Sequence, residues 1–96
     1  MIIYALEIKI KNEVREKWTK WMQEIHIPEM MDTKLFTTYR FSQDQQNKNL
    51  FYIEYTLKSI DDYNIYKKEF SIILQKKHQN AFQNLYEAKR KLLSII

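Results

Sequence analysis

The order of alternating and helical segments predicts an α+β fold of the pattern βαββαβ, a four-stranded antiparallel sheet with two helices on one face. Three observations carry this expectation. Ile2–Ile10, Leu35–Phe41 and Leu50–Leu57 alternate with period two; Val14 to Ile25 and Ile60 to Leu74 place apolar residues three and four apart; and polar Asp44–Asn49 separates the two middle strands. Ninety-six residues make one domain, 1–96, which buries only about two thirds of its unfolded surface, so a partner subunit would help it.

In the first strand Ile2, Tyr4, Leu6, Ile8 and Ile10 face one side, and Ile3, Ala5, Glu7 and Lys9 the other. Asn12 is suited to cap a helix, with Glu13 beside the positive end of its dipole. Val14, Trp18, Trp21, Met22 and Ile25 form the stripe of that helix. Pro28 should stop it, because proline disfavours the α conformation at Ile27 and has no N–H to donate. It can begin a new turn, with Met30 and Met31 packing inward, so the chain turns a corner at His26–Pro28.

The second strand presents Leu35, Thr37, Tyr39 and Phe41 on one face and Phe36, Thr38 and Arg40 on the other. The third presents Phe51, Ile53, Tyr55 and Leu57 against Leu50, Tyr52, Glu54 and Thr56. Asn residues in the loop between them can supply left-handed turn positions, because the chain has no glycine. Ser59 and Asp62 fit a capping box for the second helix, whose stripe is Ile60, Tyr63, Phe70, Ile73 and Leu74. A helix running on to Leu85 would overhang the strands, so a break is expected at Glu69–Ser71, with Ser71 as a second cap. Leu85–Ile96 has helical propensity, but Tyr86, Ala88, Arg90 and Leu92 alternate with Glu87, Lys89 and Lys91, and a fourth strand completes the pattern.

Composition narrows function by exclusion. With no cysteine there is no disulfide, thiolate or sulfur-ligated metal, which fits the cytoplasm. With no glycine there is no Gly-rich phosphate loop. The N-terminus lacks the pattern of a signal peptide, and no apolar run reaches the length of a membrane helix. The net charge of +4 is spread along the chain and reads as solubility before nucleic-acid binding.

The pattern is that of a ferredoxin-like domain, whose second sheet face is open. That face would carry Ile3, Ala5, Phe36, Leu50 and Tyr52 together with Glu7, Lys9, Arg40, Glu54 and Lys89. It is too apolar for water and too charged for a dry core, and a salt-bridged homodimer interface satisfies both.

The start MIIYALEIKI, the W-x-x-W-M-x-x-x-H-I-P-E-M-M run of Trp18–Met31 and the following Leu35-Phe36-Thr37 resemble small bacterial proteins grouped as a domain of unknown function. Those are similar to the dimeric α+β barrel group, with its EthD-like proteins, stress-responsive barrel proteins and antibiotic-biosynthesis monooxygenases. The resemblance covers nearly the whole chain and implies a fold and a dimer rather than a reaction. Related barrels bind aromatic compounds or haem between sheet and helices. By resemblance a pocket here would be lined by Trp18, Trp21, Met22 and His26 of the first helix and by Tyr63 and Phe70 of the second.

His26 is the one candidate for a general base or haem ligand, since an imidazole titrates near neutrality. Its competing role is to cap the helix C-terminus, and no acidic residue is placed by sequence to orient it. Trp18, Trp21 and Met22 equally describe a core. His78, in the basic run Lys76-Lys77-His78, reads as solvated, and its separation from His26 gives no metal spacing. No metal or cofactor is called for. The reading is therefore a cytoplasmic homodimer with a candidate site for a small apolar or aromatic molecule near His26. A purely structural or regulatory dimer is the alternative. An RRM-like RNA-binding module is less favoured, because the RNP1-like Lys48–Tyr55 lacks its glycines and first aromatic and Tyr4 falls in the buried set.

Overall fold

In the computed structural model, which describes residues 1–96, the strands are β1 (Ile2–Ile10), β2 (Phe36–Gln43), β3 (Leu50–Leu57) and β4 (Tyr86–Ser94). They form one sheet in the order β2-β3-β1-β4, with every neighbouring pair antiparallel. Between β1 and β2 run α1 (Arg15–Trp21), a π-helical turn (Met22–His26) and α2 (Ile27–Asp32); between β3 and β4 run α3 (Ile60–Glu69) and α4 (Ser71–Ala81). This is the ferredoxin-like α+β arrangement, and the alternation over Tyr86–Leu92 overrides the helical propensity of the last segment. No helix is long and apolar enough to cross a membrane.

The helices cover the face of Tyr4, Ile8, Ile10, Ile53, Tyr55 and Leu57, against which Trp18, Met22, Ile27, Met30, Tyr66, Leu74 and Phe82 are buried. Phe36 joins this core, although simple alternation assigns it to the open face. Thr37 is an extra residue in β2: the register passes from Phe36 opposite Leu57 to Thr38 opposite Thr56. Such a bulge resets the alternation, so that Phe36 and Phe41 lie on the same side.

Pro28 does not stop the first helix. Ile27 keeps α geometry at φ −61° and ψ −45°, and its N–H donates to the carbonyl of Met22, five residues back. The wider turn accommodates a residue that has no N–H. Two further expectations at this helix fail. Asn12 lies in a short 3₁₀ turn preceding α1 and accepts from Arg15 instead of capping, and Ile25 is exposed.

In the second helical segment Ser59 Oγ accepts from the Asp62 N–H, as the capping box requires. The break falls at Phe70, but Ser71 donates to the Lys67 carbonyl instead of capping α4. Of the expected stripe only Leu74 is buried, while Ile60 and Ile73 are exposed; Tyr66, outside that stripe, is the buried residue of α3. The left-handed positions are Lys34 and Asn84, at the two helix-to-strand junctions, and not in the hairpin, where Asp44 instead accepts from the N–H groups of Gln46 and Asn47.

The open face pairs Arg40 with Glu54 at 2.9 Å and Lys89 with Glu7 at 3.9 Å around a depression of about 310 Å³ over Ala5. Truncating Phe36, 5% exposed, tests the bulge. Phe36→Ala should cost about 3–5 kcal/mol in urea unfolding. A loss below about 1 kcal/mol would return the residue to the open face.

Candidate functional site

Trp18, Met22, His26 and Met30 recur every four residues, and all four are buried. In a regular α-helix each such step overshoots a full turn by about 40°, and the stripe would wind away from the sheet. The π turn takes up this excess, so His26 faces the core together with Met22 and Met30. On α4, Leu74, His78 and Phe82 repeat the spacing and face the same layer.

His78 is therefore buried, 5% exposed, and not solvated as its basic neighbours suggest. Trp18 Nε1 donates to His78 Nε2 at 2.9 Å, inside the core. A neutral imidazole that accepts on Nε2 carries its proton on Nδ1. Around it lie Tyr86 at 4.3 Å, Trp21 at 5.6 Å and Phe82 at 6.0 Å between ring centroids. Trp21 stacks on His26 at 5.0 Å and 15°. The two histidine rings, separated in sequence, are 5.6 Å apart.

His26 Nδ1 is buried without a hydrogen-bond partner. His26 lines a small cavity between sheet and helices, about 20 Å³, together with Met22, Met30, Tyr4, Tyr66, Gln75, His78 and Arg90. Tyr66 donates its hydroxyl hydrogen to Met30 Sδ at 3.6 Å. Of the six residues that sequence named, Met22 and His26 line this cavity. Trp18 is fully enclosed, Trp21 forms the stack behind His26, Tyr63 packs on Tyr4 at 5.6 Å and Phe70 lies partly buried against the core. Tyr66, Gln75, His78 and Arg90 were not singled out. The four-residue repeat through Leu74 would have found His78, and the alternation through Ala88 and Leu92 already put Arg90 on this face.

Burial lowers the His26 pKa from 6.5 to about 4, with Glu29 opposing the shift and Lys77 adding to it. Burial likewise lowers His78 to about 4, helped by His26 and Arg90. Desolvation also raises Tyr4, Tyr55 and Tyr66, while Arg90 pulls Tyr4 and Tyr66 back. Both imidazoles are thus neutral at pH 7. Each can form hydrogen bonds, but a base this weak is poorly matched to proton abstraction near neutrality. No three His, Asp or Glu side chains gather as a metal site.

A family model described as "Domain of unknown function" (DUF4286) matches residues 1–96. No curated protein matches the chain. Among solved structures it is similar to an antibiotic biosynthesis monooxygenase at 16% identity, covering 100% of this chain and 99% of that one with a TM-score of 0.74. SnoaB, a cofactor-independent oxygenase from Streptomyces nogalater, matches at 7% identity over 98% and 91% of the two chains with a TM-score of 0.78. A dimeric ferredoxin-like protein from an uncultured marine organism matches at 13% identity over 100% and 95% with a TM-score of 0.71. At such identities the likeness carries the fold alone.

The lowered imidazole pKa values set a pH dependence. Between about 4 and 6.5 the unfolded chain holds more protons than the fold, so stability rises with pH through that window and is lost as pH falls. Lowering pH from about 7 to about 5 should cost about 2 kcal/mol per imidazole in urea unfolding, and His26→Phe should remove about half of the total. Unchanged stability across the window would contradict two buried neutral imidazoles.

Proposed function

The chain belongs to the DUF4286 family, and from that premise we propose that it acts as a homodimer that binds a small, largely apolar or aromatic molecule between sheet and helices beside His26. The observation that carries the binding site is the buried, unpartnered Nδ1 of His26 on a cavity walled by methionine and tyrosine. Leaving such an atom unsatisfied costs about 1–3 kcal/mol, which a ligand hydroxyl or carbonyl would relieve, according to which ring nitrogen bears the proton. The cavity has room for about one water, so a larger guest would enter only if the helices shift from the sheet. Met22 and Met30 are flexible enough to repack around a guest. Because His26 is a weak base, recognition by hydrogen bonding is favoured over general-base catalysis.

The homodimer rests on the open sheet face. Its ion pairs flank Ala5, Tyr52 and Leu93, and a second copy would fill the depression between them. One structural neighbour is itself described as dimeric. A cysteine-free chain suits the cytoplasm, where we place it. A structural dimer without a ligand is the second reading, favoured by how tightly Trp18 and Met22 are packed.

Light scattering behind a sizing column should give twice the 11.9 kDa of the chain, and Ala5→Arg should give a monomer. A wild-type monomer would remove the interface. A panel of phenols and naphthols should raise the melting temperature of the wild type, and His26→Phe should abolish the rise while remaining folded. If no member of the panel binds, the structural dimer becomes the better reading.

A further inference from the structure

Arg90 lies on the wrong face for an ordinary surface arginine. In β4 it stands opposite Leu6, which in turn stands opposite core Ile53, so its side chain leaves the sheet on the helix-covered side. It lines the cavity beside His26 and Gln75, close enough to stabilise the ionised forms of Tyr4 and Tyr66 and to disfavour charge on His78. None of the chain's ion pairs uses it, and no Asp or Glu lines the cavity. The cation felt by His26 is Lys77, and it is already paired with Glu29. The cavity therefore has apolar walls, neutral hydrogen-bonding groups and one uncompensated guanidinium at its solvent edge, where Arg90 stays exposed.

Resting on the site proposed above, we propose that its ligand bears an acidic group, a carboxylate or an acidic enol, and that Arg90 is the residue that selects it. A planar guanidinium suits this task because it can donate two parallel hydrogen bonds to one carboxylate, and such charge-assisted bonds are about twice as strong as neutral ones. The ring of the ligand would enter toward Met22, Met30 and Tyr66, and its acid would remain at the mouth. Because the guanidinium is already partly hydrated there, the ion pair forms without burying a bare charge. An inward-facing charge on an edge strand can also serve only to discourage strand pairing between molecules. That role would give no preference for an acid over its neutral amide.

The discriminating probes are salicylate and salicylamide, which share ring and hydroxyl and differ in charge. NMR titrations of the whole protein should give a dissociation constant about tenfold lower for salicylate, with raised salt weakening salicylate alone. Arg90→Gln should remove that preference by weakening salicylate while leaving salicylamide unchanged, and Arg90→Lys should restore part of it. The melting temperature of each variant verifies folding, and both substitutions lie at an exposed position of the edge strand. Equal binding of the two probes, or an unaltered preference in Arg90→Gln, overturns the assignment to Arg90 while leaving the site standing. Binding of neither probe overturns the site itself and this selectivity with it.

Discussion

The indole N–H of Trp18 must have an acceptor, because the side chain is fully enclosed and an unpaired donor in the core is costly. His78 Nε2 provides that acceptor from α4, sixty residues further along the chain. The bond ties the first helical segment to the second across the layer above the sheet. It also dictates the chemistry of His78, since an imidazolium has no lone pair with which to accept. Burial and this bond thus favour the same neutral ring, and the aromatic cluster of Trp21, Phe82 and Tyr86 surrounds it. The lysines before His78 face outward, and Lys77 reaches Glu29 to make a second, exposed link between the helices.

His26 is the counterpart of His78 with the opposite fate. The π turn that accommodates Pro28 brings His26 inward, where Trp21 holds its ring by stacking. Its Nδ1 finds no protein partner. Two imidazoles of similar burial thus sit side by side, one engaged in the core and one with hydrogen-bonding capacity to spare. With Arg90 at the cavity edge, the layer between sheet and helices combines an apolar interior with a few directed polar groups, which is the general character of small-molecule sites.

The topology was legible because periodicity reports burial directly. Strands with one covered face alternate, and the inward register of Tyr86 to Leu92 outweighed a composition that favours helix. What local patterns miss is any device that changes the period. The extra Thr37 reverses the facing of Phe36, and the π turn lets a four-residue repeat remain on one side through a proline. Neither leaves a local signature beyond the spacing of its buried residues. The candidate site was half legible. His26 and Met22 were singled out by unusual residue types near Pro28, where a corner was expected and the helix instead runs on, and they do line the cavity. His78 was hidden by the lysines beside it, since charge in a run describes the exposed face of a helix and not the residue that turns inward from it. Arg90 required the alternation of β4 to be taken literally for a charged side chain.

The protonation and tautomeric states of the two histidines bear most directly on this picture, and long-range nitrogen–proton NMR of the imidazole rings at neutral pH measures both. His78 should be neutral with its proton on Nδ1 and its Nε2 receiving the Trp18 indole hydrogen, and His26 should also be neutral. An imidazolium at His78, or a proton on its Nε2, would contradict the buried bond that ties the two helical segments, and an imidazolium at His26 would contradict its burial as a neutral ring.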